Sequence, residues 1–71
     1  MNRRHHTKLV REGPYAAEVD VELIEVDDGW SPYLSLDDAH KLDEVRAALR
    51  RGDIRAACRL ARVFNLTPVS P

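Results

Sequence analysis

Residues 15–26 read YAAEVDVELIEV, and this stretch decides the fold class of the chain. Apolar side chains occupy every second position, at Tyr15, Ala17, Val19, Val21 and Leu23. Acids lie between them, and this period of two is typical of a β-strand with one buried and one solvated face. A helix would scatter the same positions around its circumference. Beyond Leu23 the apolar side changes to Ile24 and Val26, which indicates a bulge or a strand end buried on both faces.

Two shorter segments flank this strand in the predicted sheet. Residues 7–12, TKLVRE, precede it across a Gly13-Pro14 turn signal. Residues 30–36, WSPYLSL, follow it after Asp27-Asp28-Gly29, a hairpin signal. Because proline lacks the ladder donor, we expect this third strand to be an edge, or to pair only after Pro32. The strands therefore occupy residues 7–36, and residues 1–6 are predicted to form a disordered tail.

Two helices are predicted after the strands, over residues 37–51 and 54–64. Ser35 can cap the first helix, and Asp38 three residues later resembles the second member of a capping box. Gly52 ends that helix, and Asp53 caps the next one. The apolar face of the second helix is predicted to comprise Ile54, Ala57, Cys58, Ala61 and Phe64. Thr67-Pro68 forbids its continuation, which leaves residues 65–71 as an extended tail.

These elements predict an α+β fold in a single domain. A three-stranded antiparallel β-meander is followed by two antiparallel α-helices packed on one face. The length of 71 residues allows one small domain with a thin core. Its single cysteine, Cys58, cannot form an internal disulfide, and no apolar run is long enough for a membrane span. With no export signal at the N-terminus, the sequence predicts a cytoplasmic protein away from membranes.

The net charge of -1 hides a strong segregation of charge along the chain. Residues 1–11 carry +4, residues 12–38 carry -9, and residues 39–71 carry +4. The simpler interpretation is that the strand acids pair with helix arginines across the fold. The alternative is two functional faces of opposite sign.

Residues capable of catalysis or metal binding are few and poorly spaced. His5 and His6 are adjacent, so on an extended chain they point to opposite sides. His40 and Glu44 have i, i+4 spacing, which could hold a metal or join a general base to an orienting carboxylate. An ordinary helix-surface pair is favoured, because no third ligand lies at a convincing distance in the sequence. Cys58 is interpreted as a small core residue. No phosphate loop or dinucleotide fingerprint occurs, and we expect no enzymatic activity, metal or cofactor.

Basic residues supply one candidate binding surface. Arg46 and Arg50 lie one turn apart in the first predicted helix, and Arg55, Arg59 and Arg62 follow i, i+4, i+7 in the second. Five arginines on the outer faces of two helices could bind nucleic acid or an acidic protein. Residues 48–52 have part of the spacing of a helix-turn-helix motif, with Arg51 where that motif needs an apolar residue. A plain αα-hairpin packed on a sheet is the favoured interpretation.

Trp30 and Tyr33 are the aromatic candidates for a partner-binding surface. Tryptophan and tyrosine are enriched at interface hot spots, together with arginine. The opposing interpretation is that both side chains fill the core between sheet and helices, because large residues are scarce in this chain. Core placement is favoured for Trp30, and the two placements are balanced for Tyr33. An unpaired strand edge at residues 7–12 or 66–70 could also add to another sheet.

Residues 15–69 resemble a family of small, mostly uncharacterised bacterial proteins. The resemblance is carried by GWSPYL at residues 29–34, by the following DAHKLDEVRAAL helix and by the RGD turn at residues 51–53. It implies the small, antitoxin-like partner of a two-gene toxin–antitoxin pair. A more distant similarity is to antitoxins of the HicB type, whose proline-glycine segment and long second half are missing here. The expectation is a non-catalytic protein-interaction module, with a nucleic-acid binder as the alternative and a homodimer as a further possibility.

Overall fold

The computed structural model describes residues 2–25 and 32–69 of the chain. An antiparallel β-sheet is followed by two helices, so the predicted α+β class is confirmed. The strands and helices are, in chain order, β1 (Asn2–Glu12), β2 (Tyr15–Glu25), β3 (Tyr33–Leu34), α1 (Leu36–Arg51), α2 (Ile54–Leu60) and β4 (Arg62–Asn65). The sheet has four strands, with β2 paired to each of the other three.

The hairpin of β1 and β2 is the longest feature of the sheet. Its register runs without interruption from Asn2 opposite Glu25 to Glu12 opposite Tyr15. Gly13 takes a positive φ of 58° in the turn, a conformation that costs glycine little. Residues 2–6 therefore belong to a strand, and the expectation of a disordered tail over residues 1–6 is wrong for them. Pairing with the far end of β2 supplies their backbone partners, which the local sequence does not reveal.

The alternation along β2 is confirmed by the burial of its side chains. Ala17 and Val19 are fully buried and Val21 is 2% exposed, all on the side that the helices cover. We call this side the covered face of the sheet, and the opposite side the open face. Ile24 is also buried although it lies on the open face. Since the register is continuous from Tyr15 to Glu25, the change of apolar side arises at a strand end and not from a bulge.

The third strand is much shorter than predicted within the described residues. It consists of Tyr33 and Leu34, which pair with Ile24 and Leu23 of β2. Among the described residues this pairing follows Pro32, which lacks the N–H that a ladder position needs. The predicted hairpin turn at Asp27-Asp28-Gly29 and the start of the predicted strand at Trp30 lie outside the described residues.

Helix α1 forms where the capping signals predict it. The Ser35 side chain accepts a hydrogen bond from the Asp38 N–H, and Gly52 ends the helix in a left-handed conformation with φ of 77°. The Gly52 N–H donates to the carbonyls of Ala48 and Leu49. The buried stripe of the helix comprises Leu42, Val45, Ala48 and Leu49. This stripe packs on the covered face of β1 and β2.

The second helix is shorter than the sequence pattern predicts, and the chain after it forms a strand. Helix α2 ends at Leu60, so the predicted extent to Phe64 is wrong. Residues 62–65 instead form β4 along the first residues of β2, with Phe64 opposite Ala16. The outer edge of β2 offers backbone hydrogen bonds there, and Val63 packs against the core. These two gains outweigh continuation of a short helix.

Two further predictions differ from the structure because α2 ends early and β4 follows it. Cys58 is exposed, so its predicted place in the core is wrong, and Ala57 with the partly buried Leu60 takes the inner side of α2. The predicted extended tail over residues 65–71 begins one residue later in the described structure, because Asn65 still pairs in β4. Leu66 continues the pairing through its N–H to the Pro14 carbonyl, at 2.7 Å.

Candidate functional site

The open face of the sheet has no second layer among the described residues. Side chains alternate between the two faces along a strand, and cross-strand partners share a face. Because Val10 and Val19 are buried under the helices, their neighbours Leu9 and Glu18 point to the open face. By the same register, β4 contributes Arg62 and Phe64, and β3 contributes Tyr33.

Large apolar side chains are exposed at both ends of this open face. Leu9 is 66% exposed and Phe64 is 48% exposed, next to the buried Ala16. Tyr33, 49% exposed, lies at the opposite end beside Ile24. Large apolar side chains exposed on one face of a sheet are candidates for contact with a partner protein.

Between these two ends lies an ion-pair network on the open face. Arg62 donates from Nε to Glu18 at 3.3 Å, and its two terminal nitrogens donate to both carboxylate oxygens of Asp20, at 3.0 and 3.2 Å. Thr7 donates to Asp20 at 3.2 Å, and Arg3 donates to Glu22 at 3.3 Å. Every acid predicted on the solvated side of β2 thus has a basic partner. This agrees with the interpretation that the opposite charges of the chain pair within the fold.

The bidentate contact changes the titration of Asp20. The hydrogen bonds from Arg62 hold the pKa of the Asp20 carboxyl below its ordinary value of 3.8, with smaller contributions from Thr7 and from the charge of His5. Hydrogen bonds to Asp20 and Glu18 in turn raise the pKa of the Arg62 guanidinium. Both groups are therefore charged at neutral pH, and Arg62 is held in one orientation across the middle of the open face.

The five arginines predicted as one surface are separated by the fold. Arg62 lies in β4 on the open face and not on a helix, because α2 ends at Leu60. Arg50 pairs with Glu12 of β1 at 3.4 Å, and Arg46 pairs with Asp43 at 3.8 Å. Within the described part of the chain, only Arg55 and Arg59 of the five form no ion pair. The predicted place of Arg62 on the outer face of the second helix is therefore wrong, and the other four arginines remain on the two helices.

Of the two aromatic candidates for partner binding, the structure describes Tyr33 and not Trp30. Tyr33 lies in β3, is half exposed and sits on the open face, so it is accessible to a partner. Trp30 lies outside the described residues. Phe64 is a surface residue that the sequence pattern does not predict, because its spacing places it on the apolar face of a helix. The β-branched and aromatic pair Val63-Phe64 is the signal that could have indicated a strand there.

Side chains of α1 contact the outer edge of β2 in the gap between β3 and β4, and the sequence pattern does not predict these contacts. Asp38 of α1 accepts a hydrogen bond from the Glu22 N–H at 2.7 Å, and Lys41 donates to the Asp20 carbonyl at 2.8 Å. Asp38 thus serves the sheet and does not complete the predicted capping box with its carboxylate. These contacts satisfy backbone groups of β2 that neither β3 nor β4 reaches.

Other candidate sites are open and shallow. A groove of about 360 Å³ between α1 and α2 is lined by Glu44, Arg51, Arg59 and Leu60, among others. His40 is exposed on α1. Within residues 2–25 and 32–69, no three His, Cys, Asp or Glu side chains are grouped so that they could hold a metal ion. In the same residues, no helix is both long and apolar enough to cross a membrane.

Comparison with known proteins gives no assignment for this arrangement. No family model, no curated protein and no solved structure matches the chain.

Proposed function

We propose that this protein is a non-catalytic interaction module of the antitoxin-like kind, which binds a partner protein through the open face of its sheet. The observation that carries this proposal is the exposure of Leu9, Tyr33 and Phe64 on one face of a sheet. The helices cover one face of this sheet, and no described element covers these three side chains on the other face. A partner that covers the other face would bury these side chains.

The ion-pair network supports specific binding over general adhesion. Its carboxylates and guanidinium groups are paired with one another across the middle of the open face. Apolar side chains lie on either side of it, which is the arrangement of a surface with fixed polar and apolar zones. A partner must match both zones, because covering a charge that it does not hydrogen-bond costs free energy.

The proposal can be tested by affinity capture of the full chain from a lysate of its native host. The wild type is expected to retain one stoichiometric partner, and the double variant Leu9→Lys, Phe64→Lys is expected to lose it. Both substitutions are on exposed positions, so the fold should persist in circular dichroism. The matched control is Arg55→Gln with Arg59→Gln on α2, which should retain the partner. Equal retention by all three proteins, or recovery of a stable lone monomer, contradicts the proposal.

A second candidate function is nucleic-acid binding through the helices. It is favoured by Arg55 and Arg59, which lie one turn apart on α2 and form no ion pair with any described residue. Such binding would weaken steeply as salt increases, because phosphate contacts release counterions. The measurement is a mobility shift with DNA and RNA at low salt, compared with the Arg55→Gln, Arg59→Gln variant. The absence of any shift eliminates this candidate.

A further inference from the structure

We propose that the free edge of β1 binds an extended acidic segment of the partner protein by adding it to the sheet as a further strand. The inference rests on the proposed function, because it names the class of partner that the module recognises. It is carried by the length, the backbone geometry and the charge of β1, which are independent of the open face.

The backbone of β1 offers a regular row of unpaired groups. In an antiparallel ladder, alternate residues direct their N–H and C=O groups toward the same neighbouring strand. Asp20 and Glu22 of β2 direct theirs away from β1, since they bond to Lys41 and Asp38 of α1. The odd-numbered residues of β2 therefore face β1, where their partners are even-numbered. The remaining residues of β1 direct their backbone groups to the free edge: Arg3, His5, Thr7, Leu9 and Arg11.

No described element covers this edge. Strand β1 has 11 residues and pairs only with β2 in the described sheet. The outer edge of β2, in contrast, is occupied by β3, by β4 and by two side chains of α1. Among residues 2–25 and 32–69, the outer edge of β2 is thus occupied and the long edge of β1 is open. An open edge is a template for strand addition.

The charge of β1 selects an acidic occupant. Its sequence NRRHHTKLVRE contains four arginines and lysines and one acid, Glu12, which is already paired with Arg50. Arg3 and Arg4 remain more than half exposed despite their ion pairs with β2. Lys8 and Arg11 form no ion pair with a described residue. Acidic side chains on an added strand would lie directly opposite these bases, where unlike charges are favourable.

The same charge disfavours a second copy of this chain as the occupant. In an antiparallel pair of β1 strands centred on Thr7, Arg3 would lie opposite Arg11, and His6 opposite Lys8. Like charges directly opposite each other destabilise a strand pair. Basic residues on an edge strand also discourage unselective pairing with neutral or basic strands. An acidic extended segment would place no like charge opposite the bases of β1, and those bases would not discourage its pairing.

The test uses the full chain labelled for NMR and two synthetic strand-length peptides. In one peptide glutamate alternates with valine and threonine, and in the other lysine replaces each glutamate. The acidic peptide is expected to slow hydrogen exchange on the order of tenfold at the outward amides of Arg3, His5, Thr7, Leu9 and Arg11. The lysine peptide should have no effect. Binding of the acidic peptide without amide protection would show ionic contact alone and would overturn strand addition.

A pair of variants at Thr7 separates the backbone from the side chain. Both Thr7→Pro and Thr7→Val remove the hydroxyl that bonds Asp20 of β2. Thr7→Pro also removes the outward N–H while leaving the backbone hydrogen bonds to β2, and Thr7→Val keeps that N–H. Peptide binding should be lost in the proline variant and retained in the valine variant, with both folded by circular dichroism. Equal binding by the two variants overturns the proposal. Self-association that is lost only in Thr7→Pro overturns it in favour of a second copy.

The lysate experiment distinguishes failure of this inference from failure of the proposed function. If Thr7→Pro retains the host partner and Leu9→Lys, Phe64→Lys loses it, the interaction module stands and the edge inference fails. If the open-face variant retains the partner, the proposed function fails, while the exchange measurement still decides whether the edge adds an acidic strand.

Discussion

The covered and open faces of β2 are built from alternate residues of one strand, yet different forces hold them. On the covered face Ala17, Val19 and Val21 lose nearly all contact with water against α1 and α2. On the open face Glu18 and Asp20 stay partly exposed and are held by Arg62. Burial of apolar surface supplies most of the stability, whereas exposed ion pairs supply little. The fold therefore depends mainly on the covered face, and the residues of the open face contribute little to its stability.

The largest expected effect comes from truncating a side chain on the covered side. Leu49 is 3% exposed, so Leu49→Ala should lower the free energy of unfolding by about 2–5 kcal/mol through lost burial and a cavity. Phe64→Ala on the open face should cost about 1 kcal/mol or less, because that ring is half exposed. Urea unfolding followed by circular dichroism measures both values. Equal losses for the two variants would remove the distinction between the faces.

A smaller effect is expected at the turn between the two covering helices. Gly52 has φ of 77°, and a Cβ added there would meet no atom within 4 Å, so only backbone strain opposes a side chain. Gly52→Ala should therefore lower the free energy of unfolding by about 1–2 kcal/mol. Thermal unfolding measures this effect, with the exposed Arg55→Ala as the control, which should change stability very little. A stable Gly52→Ala protein would show that the covering layer does not depend on this turn.

The ion-pair network of the open face should contribute less than either feature of the covering layer. Arg62→Gln leaves Glu18 and Asp20 as neighbouring unpaired acids, so the midpoint of thermal unfolding should fall slightly. Arg59→Gln removes the same charge from a residue without a described ion pair and should have no comparable effect. The difference between the two variants should shrink in high salt, because salt screens exposed charges. A difference that is independent of salt would contradict an electrostatic origin.

The smallest effect is expected from acid, through the carboxyl of Asp20. Its pKa in the folded protein lies below the ordinary value of 3.8 because Arg62 hydrogen-bonds the charged form. The resulting stabilisation is present above pH 3.8 and is lost as the pH falls through the lower folded pKa. Unfolding midpoints of the wild type and Asp20→Asn should therefore differ near neutral pH and converge in strong acid. A constant difference at every pH would exclude this linkage.

Local sequence signals predicted the covered face more fully than the open one. The alternation of Val19 and Val21, the Ser35 cap and the Gly52 stop each depend on residues close together in the chain. The sequence pattern places Phe64 on a helix through its spacing with Ile54, Ala57 and Ala61. It places Arg62 on the same helix through its spacing with Arg55 and Arg59. Their actual place in β4 depends on the vacant edge of β2 near Ala16, far away in the sequence.

Local sequence signals could not have predicted the open face or the β1 edge. Arg3 and Arg4 have no apolar periodicity, and only their register opposite Ile24 and Leu23 shows that they belong to a strand. Their ion pairs with Glu22 and Glu25 follow from that pairing. The sequence did indicate opposite charge in neighbouring segments. It contained no information on which arginine would meet which acid, since that depends on strand order.

By itself, the sequence determined an α+β chain with a half-buried central strand, two helices separated at Gly52 and a segregation of basic and acidic segments. These properties follow from side-chain period, backbone preferences at glycine and proline, and composition, all of which are local. Only the tertiary structure decided that β1 begins at Asn2, that residues 62–65 leave the helix for the sheet, and that Arg62 clamps Asp20. The physical reason is that backbone hydrogen bonds and ion pairs between distant segments are satisfied only after the chain has folded.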